Sequence, residues 1–259
     1  MTRKTLPFGG MIMMGAIVQC LLSELALATP AATTTLSPTT LLSTKPGTVS
    51  QTRSRFNRVD FSDVGRPRKR RGGGSRGACS VPNKPPLTAL VPDTSAGLTL
   101  AKSPTFWFFV PYTLTSDYSV EFVLKDNQDK TVYTNKAVGK GTPAGIVNLP
   151  LPSTVALETG KDYHWYYLVY CDAQNQDQFV YVNGAVRRVE HPDLEKKLES
   201  ASHSDRMAHY EAKGIWHETL TEHAERLTAS PQDTKTRQNW ASLLESVGLA
   251  EVASEPLVP

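Results

Sequence analysis

Three cysteines, six histidines and one run of arginines are the residues of this 259-residue chain whose types could do chemistry. Cys20 falls inside an N-terminal apolar run, and the Gln19 before it is larger and more polar than a lipid-attachment site accepts. Cys79 and Cys171 remain as an even pair, expected to bridge in an oxidising compartment. Closing a loop of about 92 residues would contribute roughly 4.5 kcal/mol by chain entropy; the alternative is two buried free thiols. His203, His209, His217 and His223 cluster late in the chain, and His217-Glu218 begins like a zinc-hydrolase helix. The next histidine is six residues on instead of four, which puts the two rings on opposite sides of a helix. No metal and no cofactor is therefore expected. A Gly-x-Ser-x-Gly elbow is missing, and Gly72-Gly73-Gly74-Ser75-Arg76-Gly77 lacks the Lys and Ser/Thr ending of a phosphate loop. No catalytic residue can be assigned.

The basic residues are unevenly placed. Arg53, Arg55, Arg58, Arg66, Arg68, Lys69, Arg70, Arg71 and Arg76 face only Asp60 and Asp63 in their stretch, whereas the chain after it is mildly acidic. Arg66, Arg68, Lys69, Arg70 and Arg71 form a surface-binding candidate for anionic polymers or lipid headgroups. The same run could instead be a solvated linker, a dibasic processing site, or an arm folded onto the acidic body. Nucleic acid is not expected as a partner, because the chain carries an export signal.

That signal has three parts. Arg3 and Lys4 precede an apolar run from Met11 to Leu22, and Ala26-Leu27-Ala28 supplies a small-x-small cleavage pattern. The run is shorter than the ~20 residues of a membrane span. Residues 1–28 are thus expected to be removed, giving a periplasmic or extracellular protein that does not cross the membrane. Residues 29–77, rich in Thr, Ser and Pro and then basic, read as a disordered linker, with order beginning near Ala78.

Residues 78–190 read as a β-sandwich, with strands expected at 87–91, 98–100, 105–111, 119–126, 131–136, 145–149, 162–172 and 178–188. Both faces of Phe106-Trp107-Phe108-Phe109 are apolar, so each needs a cover. A second sheet would cover one, and helices most simply the other. Alternation in the strand after Asp162 turns Tyr163, Trp165, Tyr167 and Val169 inward and Tyr166 and Tyr170 outward. Tyr166, Tyr170 and Trp107 are the candidate recognition aromatics. Beyond Pro192 the period changes to that of a helix over 191–250, and 251–259 reads as a disordered tail.

Leu157, Gly160 and Tyr163, each three residues after the last, resemble the tyrosine corner of immunoglobulin and fibronectin type III sandwiches. Tyr210, Gly214, Trp216 and Pro231 resemble part of a tetratricopeptide repeat. The implied fold class is α+β: an immunoglobulin-like antiparallel sandwich followed by a helical hairpin. Arg76-Gly77-Ala78-Cys79, Pro104 to Tyr112, Gly160 to Tyr166, Cys171-Asp172 and Gly214-Ile215-Trp216 resemble a mainly cyanobacterial family of exported proteins, domain of unknown function 928. The resemblance implies an envelope or secreted protein without an assigned activity. A non-enzymatic binding or adaptor module is the leading expectation, its partner an envelope protein or an anionic polymer. A structural envelope component held by the basic arm comes second, and an enzyme with a site at the sheet–helix junction third.

Overall fold

The computed structural model describes residues 56–61, 63, 68–73, 79–172 and 174–258. The expected signal, most of the Thr/Ser/Pro-rich stretch and Arg66 lie outside these residues.

All eight expected strands are present: β1 (Thr88–Ala89), β2 (Ala96–Thr99), β3 (Thr105–Val110), β4 (Ser119–Lys125), β5 (Thr131–Val138), β6 (Gly145–Pro150), β7 (Asp162–Tyr170) and β8 (Phe179–Arg188). They form a three-stranded sheet in the order β1-β3-β6 and a five-stranded sheet in the order β2-β8-β7-β4-β5. The expectation of a purely antiparallel sandwich is corrected at one place: β2 runs parallel to β8. Aromatic side chains from the two sheets meet in the core. Phe106 abuts Phe122 and Trp165, and Phe108 stacks on Tyr167 with centroids 4.1 Å apart. Trp165 pairs in register with Gly184, where any Cβ would run into the indole ring, so a glycine is required there. The β4–β5 hairpin closes on Asp126, whose Oδ1 accepts the Gln128 and Lys130 N–H groups.

Four helices follow: α1 (Pro192–Leu198), α2 (His203–Lys213), α3 (Trp216–Ala229) and α4 (Thr234–Ser246). Ser202 caps α2 by accepting the Asp205 N–H, and Asp233 caps α4 by accepting those of Lys235 and Thr236. The helices cover the second face of β3, where the Trp107 indole donates to Thr221 Oγ1 of α3 at 3.1 Å. A smaller core gathers Phe61, Ala96, Leu98, Ala185, Leu194 and Ile215, joining one end of the five-stranded sheet to α1 and α2.

Both presumed ends of disorder are corrected. Phe56 packs edge-on against Trp216 and Phe61 is fully buried, so the body begins upstream of Ala78. Residues 250–252 form a 3-10 turn, and Leu257 then bridges to Ile146, so the tail is part of the fold. Neither segment has a periodic pattern of its own, and each is ordered by the surface it closes.

Candidate functional site

The basic run, expected as a surface-binding arm, is largely consumed by the body. Lys69 bridges to Asn183 of β8, and Arg71 bridges to Thr88 of β1, so the segment crosses from one sheet to the other. Arg70 is buried and donates to the carbonyls of Val91 (3.1 Å), Val247 (2.7 Å) and Gly248 (3.0 Å). The last two lie just past α4, where the helix dipole favours a cation. Burial nevertheless pulls its guanidinium below the usual arginine range. Arg71 pairs with Glu251 and donates to the Gly248 carbonyl, and Arg68 donates to the Phe61 carbonyl. A run of like charges signals solvated chain in sequence, and the compensating carbonyls come from residues up to 178 positions away.

Trp107 is corrected as a recognition residue: it is 6% exposed and lies under α3. Tyr166 and Tyr170 do lie on the outer side of the five-stranded sheet, but only Tyr166 stays partly exposed; Tyr170 is 9% exposed and is corrected as a recognition residue like Trp107. Register places Tyr170 beside Ser119 and Phe179, Leu168 beside Glu121 and Tyr181, and Tyr166 beside Val123 and Asn183. Three lysines lie over tyrosine rings on this face: Lys69 over Tyr181 at 4.7 Å, Lys136 over Tyr170 at 4.9 Å and Lys125 over Tyr166 at 5.9 Å. None of the three forms an ion pair among the described residues. Tyr170 donates to Glu121 at 2.7 Å, and burial together with that carboxylate pushes its phenol up to about 12. Phe179, 45% exposed, ends the row beside Tyr170. Outward parity was legible in the sequence; Tyr181, Phe179 and the lysines were not, because cross-strand register decides which residues become neighbours.

The sheet–helix junction holds a pair that zinc spacing had set aside. His217 bonds through Nδ1 with the Thr105 carbonyl at 3.0 Å, its ring edge-on to Phe106 and its Nε2 close against Gly97. Burial drags its pKa down to about 4, so the ring is neutral at pH 7. Glu218 Oε1 accepts from Thr99 Oγ1 (2.7 Å) and from the Leu100 and Ala101 N–H groups (2.9 Å each), while burial pushes its pKa up. A cavity of about 170 Å³ adjoins them, lined also by Ser103, Glu222 and Glu225. His217 Nε2 and Glu218 Oε2 are shut off from solvent, and the bonds both residues make dock α3 onto the β2–β3 turn. His223 instead meets Glu211 of α2 at 3.1 Å, away from His217. Among the described residues, no group of three His, Cys, Asp or Glu is placed to hold a metal.

Cys79 and Cys171 form the expected disulfide, with Cα atoms 5.4 Å apart. It ties the chain just before β1 to the end of β7 and suits an oxidising environment. Tyr163 accepts the Glu158 N–H at its hydroxyl (3.1 Å), Gly160 turns the chain at φ +73°, and Leu157 is buried beneath. No helix among the described residues is long and apolar enough to cross a membrane.

Two stacked sheets with helices over one face, an aromatic and lysine-bearing surface on the other, and one disulfide define a mixed α+β protein. The chain belongs to the family described as Domain of Unknown Function (DUF928), whose model matches residues 71–257. The match starts and stops at the residues that close the three-stranded sheet, Arg71 on β1 and Leu257 on β6. No curated protein matches the chain.

Proposed function

We propose that this is an exported, non-enzymatic binding module of the bacterial cell envelope that holds an anionic polymer across the open face of its five-stranded sheet. The observation that carries the reading is the set of three lysine–tyrosine pairs, Lys69–Tyr181, Lys136–Tyr170 and Lys125–Tyr166. The partly exposed Tyr166 and Tyr181 rings and the exposed Phe179 offer apolar surface to the C–H groups of a sugar, and the ammonium groups beside them complement carboxylate or sulfate. The signal-like N-terminus and the disulfide support export. The strand order, the parallel β2–β8 pair and the Tyr163 tie support an immunoglobulin-like lineage for the scaffold. In this reading α2 and α3 are a single tetratricopeptide-like unit that braces β3 and presents no groove of its own.

The reading of a structural component held by its basic arm loses support, since Arg68, Arg70 and Arg71 are bonded within the body. An enzyme at the junction is supported only by His217 and Glu218, whose free atoms are enclosed.

Affinity electrophoresis through gels containing a polyuronate tests the proposal. The protein should be retarded, less so as salt rises. The Lys125→Ala/Lys136→Ala variant should lose at least about tenfold in affinity, or ~1.4 kcal/mol. Equal retardation in a neutral glucan gel, or no loss in the variant, would defeat it.

A further inference from the structure

Four strand edges bound the two sheets, and three are closed by the chain itself. Arg71 bridges onto β1, Leu257 bridges onto β6, and α3 lies along β2, with His217 and Trp216 packed against Gly97. The fourth edge is β5, eight residues long and exposed along nearly its whole length. Its inner side pairs with β4, and among the described residues no strand pairs with its outer side. Edges of this kind are ordinarily blunted by proline, by charged side chains, lysine above all, by a bulge or by a covering element. β5 has no proline, its irregularity is confined to its first residues opposite Leu124 and Lys125, and its one charge is Lys136.

The free backbone groups can be placed. The Gly139 N–H donates to the Tyr118 carbonyl at 2.8 Å, and antiparallel ladders alternate bonded and unbonded pairs. Ala137, Asn135 and Tyr133 therefore bond inward to β4. Val138, Lys136 and Thr134 present their N–H and C=O groups outward, and Val132 is the extra residue of the bulge at the start of the strand. Val132 (39% exposed) at the bulge and Val138 (55%) at the other end of the strand are exposed large hydrophobic residues.

We infer that β5 pairs antiparallel with β5 of a second copy of this chain, about a two-fold axis at Asn135, to make a continuous ten-stranded sheet. That register sets Val132 opposite the second copy's Val138 at both ends and Thr134 opposite its Lys136 in the middle. Every outward backbone group then has a partner. Centring on Lys136 would instead oppose two ammonium groups, and centring on Thr134 would leave each Val138 beyond the partner strand. Lys136 is already drawn off the edge, its Nζ bonded to Gln176 at 3.0 Å and lying over Tyr170. A one-strand interface is smaller than the ~1,200 Å² of stable complexes, so the dimer is weak and concentration-dependent. The pairing places the open faces of both copies on the same side of the joined sheet, and it does not depend on what those faces bind.

Sedimentation velocity on the full chain over a micromolar to submillimolar series tests it. The expected result is a monomer–dimer equilibrium that the Val132→Lys/Val138→Lys variant weakens at least about a hundredfold, by setting like charges opposite at both ends. Because both valines are exposed, the variant should keep the parent's circular dichroism and thermal midpoint. An Asn135→Cys variant should form a 135–135 crosslink under mild oxidation, whereas Lys136→Cys should not, since 136 faces 134. A monomer at every concentration, a dimer unaffected by the two lysines, or crosslinking at 136 in place of 135 would each overturn the inference.

Discussion

Strands β3 and β7 are both dense with aromatic residues on both faces, yet their outer faces are covered in different ways, β3 by a helix and β7 by side chains of its own sheet. On β3, Phe106 and Phe108 meet the opposite sheet, while Trp107 lies beneath α3 with its indole bonded to Thr221. On β7, Trp165 and Tyr167 fill the core, while Tyr166 stays partly exposed under Lys125 and Tyr170 is buried beneath Lys136 and Phe179 and bonded to Glu121. An aromatic on a strand's second face becomes packing or a surface according to what the rest of the chain lays over it. The helices cover β3 and the β2–β8 end of the five-stranded sheet, and leave the outer side of β7 to its neighbouring strands.

The comparison can be broken by truncation. Trp107→Ala removes a buried indole and strands Thr221, and should cost about 3–5 kcal/mol in chemical denaturation. A loss under about 1 kcal/mol would mean that α3 does not depend on β3 for its seat.

Acid should probe the same sealed side more gently. His217 has a pKa near 4 in the folded chain, against about 6.5 unfolded. Between those values the unfolded chain takes up a proton that the folded one refuses. Stability is therefore full above about pH 6.5 and falls by up to about 1.4 kcal/mol per pH unit toward pH 4, about 3 kcal/mol in all. Glu218, its pKa raised by burial, acts in the opposite sense, its contribution being lost as pH rises. His217→Leu should accordingly be less stable at pH 7 and show a flatter acid limb in urea midpoints. An unchanged limb would show that His217 is not enclosed.

Tyr181→Ala is the smallest effect expected on stability, within about 1 kcal/mol, because the ring is partly exposed and meets Lys69 and the exposed Phe179. Its binding to the polyuronate gel should fall with that of the lysine variant. A stability loss as large as that of Trp107→Ala would erase the distinction between the two strands.

Much of the scaffold could be read from residue pattern. Alternation located the eight strands, and the spacing of Leu157, Gly160 and Tyr163 anticipated the tied turn before β7. The two cysteines left after the expected cleavage anticipated the disulfide. The candidate site was read less well. Arg70 looks like part of a solvated charge run until Val91, Val247 and Gly248 bring their carbonyls to it. His217-Glu218 looks like a failed metal motif until the β2–β3 turn shows what both residues hold. In each case the deciding partner is more than twenty residues away in sequence.

Local chemistry, then, determined by itself where the strands and helices lie, which way each side chain of β7 points, and which cysteines pair. Those properties follow from alternation, helical period and the small number of cysteines, all of which are read along the chain. Tertiary structure alone decided that the arginine run becomes a clasp between two sheets, that Trp107 lies under a helix while Tyr166 stays partly exposed, and that the outer side of β5 has no partner strand among the described residues. Burial and hydrogen-bond satisfaction depend on which distant surface arrives, and only the assembled fold supplies that.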